Sequence, residues 1–320
     1  LHGEIIMLKE LLETKHCFKL VCGAGNEDIE EIKRLVYIYA IAGCRFFDLS
    51  ANEDVIKVAR EALDMAKVYD AYLCVSVGIK NDPHVEKAVI DYERCVNCGA
   101  CEEICPQKAI QYAKVKKERC IGCGKCWKVC SRAAISYISE EKDLKEILPP
   151  IVEKGIDCIE FHAMGLDEKE IYTKWDYLNE NYEGLLSICT SRGKLSDEAL
   201  VERIKNMTVN RKPYTTIIQA DGFPMSGGDD NYKSTLQAVA TAEIVQNEKL
   251  PVYIILSGGT NGKTSELAKM CEISYNGIAI GSYARKIVRK YIERPDFWTN
   301  PNVINDALLV AKPLVDSVIL

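Results

Sequence analysis

Eight cysteines in the first half of the chain have the types and spacing to do redox chemistry. Cys95, Cys98, Cys101 and Cys105 are spaced C-x2-C-x2-C-x3-C, followed by Pro106. A shift of 25 residues lands on Cys120, Cys123, Cys126 and Cys130 with the same spacing. It also carries Ala109-Ile110 onto Ala134-Ile135 and Tyr112 onto Tyr137, so the run is an internal repeat. This spacing suits iron–sulfur clusters, with the fourth cysteine of each run serving the other cluster. The expected ligand sets are therefore Cys95, Cys98, Cys101 and Cys130 for one [4Fe–4S] cluster, and Cys120, Cys123, Cys126 and Cys105 for a second. Gly99, Gly122 and Gly124 let the backbone wrap closely around inorganic sulfur. Zinc is the alternative that C-x2-C pairs allow, but a repeated four-cysteine run favours iron–sulfur. The second run ends Cys130-Ser131 without the proline, which leaves that loop less rigid. The other cysteines, Cys17, Cys22, Cys44, Cys74, Cys158, Cys189 and Cys271, read as free thiols in the core. So many free thiols imply a reducing cytoplasm.

Elements must position these groups. Outside the cysteine segment, short apolar strands alternate with amphipathic helices. Strands are expected at 18–22, 44–49, 71–77, 156–162, 184–189, 214–219, 252–256 and 277–280. Helices are expected at 27–42, 52–69, 141–154, 167–181, 197–207, 232–246, 263–273 and 284–292. Pro149-Pro150 is expected to bend or break the helix that holds it. This alternation implies parallel pairing through right-handed crossovers, and eight units imply a (β/α)8 barrel. An open doubly wound sheet is the alternative. The expected organisation is a first barrel part at 1–90, a ferredoxin-like domain at 91–138 after the third strand, and the rest of the barrel at 139–320.

Barrel chemistry sits at the C-terminal strand ends. There the sequence offers Asp48, His162, Arg192 and Asp221 as candidate catalytic residues. His162 can also be a packed strand residue, and Arg192 can pair with a ligand carboxylate or phosphate or simply with Asp221. Gly258, Gly259, Gly281 and Ser282, after the last two strands, could bind the phosphate of a substrate or of FMN, or could simply be turns. Ser226-Gly227-Gly228 could form an anion nest or a lid. Asn261-Gly262-Lys263-Thr264 resembles only the end of a P-loop, because Ser257 stands where the motif needs glycine.

The net charge of −6 gives no broad basic footprint for nucleic acid. Lys114, Lys116, Lys117, Lys125 and Lys128 form a local basic patch, read as solvated surface or as a docking face for an acidic electron carrier. No apolar run approaches the ~20 residues of a membrane span, so the chain is expected to be soluble and cytoplasmic, without a targeting segment.

The phrases Ile218-Gln219-Ala220-Asp221-Gly222, Pro224-Met225-Ser226-Gly227-Gly228 and Leu256-Ser257-Gly258-Gly259-Thr260-Asn261, with the doubled cysteine run, resemble the LdpA family. That family, best known from cyanobacteria, is linked to redox and light input to the circadian clock. The resemblance implies a cluster-bearing redox protein with the eight cysteines as ligands; a clock role is not carried over. Three functions are open at this point. One is electron transfer or redox sensing with a partner protein or small carrier. Another is a cluster-dependent oxidoreductase acting on a flavin or phosphate-bearing substrate at the barrel mouth. The third is a barrel that only presents the clusters.

Overall fold

Twelve strands are present in a computed structural model, which describes residues 2–79, 85–139, 143–193, 195–223 and 229–320, with side chains from residue 8 onwards. In chain order they are β1 (Cys17–Val21), β2 (Phe46–Ser50), β3 (Tyr72–Val77), β4 (Glu86–Ile90), β5 (Ile110–Gln111), β6 (Lys114–Val115), β7 (Ile135–Ser139), β8 (Cys158–His162), β9 (Leu185–Ser191), β10 (Thr216–Asp221), β11 (Tyr253–Ser257) and β12 (Gly277–Ile280). Eight of them close into a parallel barrel in the order β1-β12-β11-β10-β9-β8-β3-β2. The (β/α)8 barrel expected from the alternation is therefore the observed fold. Its strands are buried on both faces. One face packs on the helices and the other fills the barrel, which is why these strands read as nearly unbroken apolar runs.

The helices start where polar caps allow. Asp28 accepts from the Glu31 amide at 3.0 Å to open Ile29–Ile41, and Asn52 caps Glu53–Ala66. Of the two outcomes expected at Pro149-Pro150, a break does not occur: Leu144–Glu153 runs through both prolines. Leu144, Leu148 and Ile151 bury one face of that helix in the main core, which offsets the lost amide donors. Strand β10 begins two residues later than expected and carries Asp221 inside the strand.

Apart from the short helices of the inserted unit, two described helices lie outside the expected alternation. The N-terminal helix His2–Glu13 places Leu8 and Leu12, fully buried, against Cys17, Phe46, Tyr72, Leu185, Ile217 and Tyr253. It thus plugs the N-terminal end of the barrel with an apolar layer. The C-terminal helix Pro301–Ile319 buries Ala307, Ala311 and Val315 beside the helix Ile29–Ile41.

Between β3 and β8 lies a separate unit. β4 and β7 pair antiparallel from Glu86↔Ser139 to Ile90↔Ile135, and β5 and β6 form a small hairpin. This sheet starts at Glu86, a few residues before the expected boundary at 91. The unit has its own core of Ala88, Ile90, Ala109, Ile110, Cys120, Cys126 and Ile135. Among the described residues, no helix is long and apolar enough to cross a membrane.

Candidate functional site

The repeat seen in the sequence is a repeat in space. Gly99 and Gly124, one repeat apart, both have positive φ, 79° and 76°, and open the short helices Ala100–Ile104 and Lys125–Val129. A Cβ at either would meet nothing within 4 Å, so only the backbone angle demands glycine there. Each helix carries the third cysteine of its run and is followed directly by the fourth.

Two cavities result. One is lined by Cys95, Cys98, Cys101 and Cys130 together with Ile90, Ala134 and Ile135. The other is lined by Cys105, Cys120, Cys123 and Cys126 together with Ala88, Ile110 and Tyr137. The fourth cysteine of each run is thus exchanged between the cavities. Backbone amides already point at sulfur: Asn97 at Cys95 (3.4 Å), Ala88 at Cys120 (3.4 Å), Ala109 at Cys105 and Ala134 at Cys130 (3.3 Å each). The Tyr137 hydroxyl lies 3.2 Å from Cys126 Sγ. Four thiols around an apolar pocket, with amide donors aimed at sulfur, fit the chemistry of a [4Fe–4S] cluster.

The unit is fastened to the barrel on the side of β1 and β12. The buried Lys87 ammonium donates to Gly25 O (2.7 Å), in the loop after β1, and to Cys120 O (2.8 Å). Arg119, next to Cys120, pairs with Asp28 (2.7 Å) and with the buried Glu31 (2.8 Å). Arg289 bonds to Glu31 (3.2 Å) and to Gln107, two residues beyond Cys105. Glu293 takes Lys108 (2.5 Å) and Arg289 (3.2 Å). Its carboxyl is held below the ordinary range because Lys108 and Arg289 outweigh the effect of burial. The second cavity therefore lies on the barrel side, and the first lies farther out.

The barrel interior holds the other group of chemically capable residues. In its C-terminal half Lys19 projects from β1 between two carboxylates, 3.0 Å from Asp48 and in close contact with Glu160. Its Nζ also donates to Gln219 Oε1 (2.9 Å), and Gln219 Nε2 donates to Glu160 Oε1 (2.7 Å). Ser76 donates to the other Asp48 oxygen at 2.8 Å. Above them, His162 Nε2 is 3.4 Å from Glu160 Oε1, and Cys189 Sγ is 2.7 Å from Asp221 Oδ2. All are buried. Burial alone would lower the Lys19 pKa, but Asp48 and other neighbours hold it well above its ordinary value. Burial and then the Glu160 charge push Asp48 up, while Lys19 and His162 overcome burial and keep Glu160 low. Burial, then Glu160, pushes Asp221 up to about 7.

Of the expected barrel residues, Asp48, His162 and Asp221 come together in this group. Arg192 does not: it lies on the loop after β9 and forms a two-pronged pair with Asp197 (2.8 and 3.2 Å), not with Asp221. Its partner is one helical cap away because the chain turns directly into Asp197–Thr208. Gly258 is explained without a ligand, since a Cβ there would fall 2.6 Å from Gly222 N. Gly258 and Gly259 have positive φ, Gly281 meets Val21 and Arg285, and Ser282 opens the helix Ser282–Ile292. Ser226-Gly227-Gly228 lies outside the described residues. Of the seven cysteines expected in the core, six are buried and Cys271 is exposed, in a stretch with Lys269, Met270 and Glu272 that faces solvent at the end of the helix Thr264–Met270.

Lys19 was not among the expected site residues, although its signal is visible: one lysine inside the apolar strand Cys17-Phe18-Lys19-Leu20-Val21, on the inward alternation with Cys17 and Val21. Glu160 and Gln219 show the same pattern in β8 and β10.

Comparison with known proteins agrees with this architecture. The fold is similar to tryptophan synthase from M. tuberculosis (9% identity, 99% of this chain and 98% of that chain, TM-score 0.53) and to tryptophan synthase subunit alpha from Legionella pneumophila (10% identity, 98% of each, TM-score 0.51). At such identities the likeness is one of fold alone. The 4Fe–4S binding domain matches twice, at residues 88–111 and 113–136. The Light dependent period A C-terminal domain matches residues 150–317. The Light dependent period A protein of Synechococcus elongatus is 31% identical over 329 aligned positions, covering 96% of this chain and 92% of that protein. With more than half of its length under one domain signature and nearly all of it aligned to that relative, the chain belongs to the Light dependent period A family of iron–sulfur proteins.

Proposed function

We propose that the chain is a two-cluster electron-transfer or redox-sensing protein. Cys95, Cys98, Cys101 and Cys130 hold one [4Fe–4S] cluster, and Cys105, Cys120, Cys123 and Cys126 hold the other. The supporting observation is the pair of cavities, each lined by four cysteines with the fourth exchanged between runs. Such clusters, when bound, take up and release single electrons. The protein's own part is to supply thiolates, amide donors to sulfur and an apolar wall. Six buried free thiols suit a reducing cytoplasm. The partner is an acidic carrier: Lys114, Lys116, Lys117 and Lys128 are exposed beside the cavities, and Trp127 projects from the same helix as Lys128.

Iron and sulfide analysis of anaerobically purified variants tests this ligand assignment. Cys98→Ser and Cys123→Ser should each lose about half of the iron, because each breaks one four-cysteine set. Unchanged iron in either variant contradicts the assignment.

The buried Lys19, Asp48, Glu160, His162 and Asp221 favour a second reading, in which a substrate is reduced at the barrel mouth. No scaffold role requires a lysine and three carboxylates in the barrel core, since burying them costs stability. A flavin such as FMN would take its phosphate at Gly259, Gly281 and Ser282; flavin released on denaturing the purified protein would support that version, and its absence would remove it.

A further inference from the structure

We propose that Glu160, His162, Cys189 and Asp221 form a binding site for one divalent transition-metal ion of the zinc type, inside the barrel and separate from the cysteine cavities.

The four side chains come from three neighbouring strands. In the parallel register His162 lies beside Cys189 and Cys189 beside Gln219, so Asp221 stands one inward position above Gln219. Ligand atoms of Glu160, His162 and Cys189 all lie within 4.8 Å of one another. Asp221 Oδ2 lies beside this trio, 2.7 Å from Cys189 Sγ. Ligand atoms at roughly 2.0–2.3 Å from a tetrahedral ion sit about 3.3–3.8 Å apart, so Glu160, His162 and Cys189 need only small rotations, while Asp221 must swing from beside Cys189 to complete the shell. The residues are no more than 4% exposed.

Charge points the same way. Three carboxylates, Asp48, Glu160 and Asp221, are buried here with one lysine. Buried charges are stable when paired or when bound to a metal. Lys19 answers Asp48 and one oxygen of Glu160, while Asp221 is bonded to the Cys189 thiol. Lys19 and Gln219 then act as the outer shell that orients Glu160. Asp48, Cys74 and Glu160 also converge, but the Lys19 ammonium contacts two of those three, Asp48 and Glu160, whereas in the proposed group it contacts only Glu160, through Oε2.

One sulfur, one imidazole nitrogen and two carboxylate oxygens form a borderline donor set. It selects zinc-like ions over magnesium or calcium, which require all-oxygen shells. Binding releases the thiol proton of Cys189, and any proton on Asp221, to solvent, since thiolate and carboxylate are the ligands.

The test uses anaerobically purified, cluster-loaded protein. It is dialysed against a chelator, given zinc chloride and freed of excess. Zinc and iron per chain are counted, and the zinc shell is read by X-ray absorption. The expected result is about one zinc per chain with one sulfur and the remaining donors nitrogen or oxygen. Cys189→Ser should weaken zinc binding at least about tenfold with iron unchanged. If that variant does not fold, Asp221→Asn decides on the same readout. Cys98→Ser should lose iron and keep zinc, which separates this proposal from the cluster assignment. Less than a tenth of an equivalent of zinc, an all-sulfur shell, or undiminished binding in the decisive variant overturns the proposal.

Discussion

Lys19 illustrates how much one residue can carry when the sequence around it gives little warning. Its ammonium is enclosed with Asp48 and Glu160 and has almost no contact with water. Removing it leaves two buried carboxylates without their counter-charge, which costs about 3–5 kcal/mol. Lys19→Met should therefore lower the denaturation midpoint sharply. A midpoint within error of the native protein would show that Lys19 does not neutralise the pair. Asp48, His162 and Asp221 were legible as strand-end residues because barrel chemistry collects there. Lys19 was not, because a lysine in a strand ordinarily marks an edge or a solvent face. Only the closed barrel, which has neither, turns the same alternation inward. Arg192 shows the converse: type and place suggested a ligand-binding group, but Asp197, five residues on, satisfies it.

At the scale of elements, the cysteine loops were the most legible part, because metal-ligand spacing is local in sequence. The exchange of Cys105 and Cys130 follows from short helices that end just before each of them. The junction with the barrel was illegible, since Arg119, Arg289 and Glu31 are far apart in sequence and nothing in any one helix marks them as a group. Glu31 is buried and accepts from both guanidinium groups. Glu31→Gln leaves those two cations short of a partner. Amide hydrogen exchange in residues 117–121 should then rise severalfold, with β8–β11 unaffected. Unchanged exchange would mean that Lys87 and Glu293 suffice to hold the unit. The N-terminal helix was missed for a different reason: its apolar stripe belongs to the barrel bottom, outside the strand–helix alternation. Leu12→Ala should cost about 2–5 kcal/mol as a cavity in that layer, read as a lower midpoint. A loss below about 0.5 kcal/mol would show that the plug is dispensable.

At the scale of the whole molecule, a barrel with a polar, charged group inside it carries a small unit whose apolar core is flanked by the eight cysteines. The strand count anticipated the barrel because each strand is buried on both faces and, the insertion after β3 apart, separated from the next by one helix. The polar grouping inside it could not be anticipated, since it depends on which strands become neighbours on closure. The attachment near Gly25, Gln107 and Glu293 sets the Cys105 cavity toward the barrel and the Cys98 cavity outward. That arrangement gives an inward and an outward end to a redox unit, and it has meaning only if both cavities are filled. Native mass spectrometry of the anaerobically isolated chain tests this most directly. The account predicts the 35.9 kDa polypeptide plus two Fe4S4 units. A mass corresponding to one unit, or to zinc ions in place of the clusters, would contradict it.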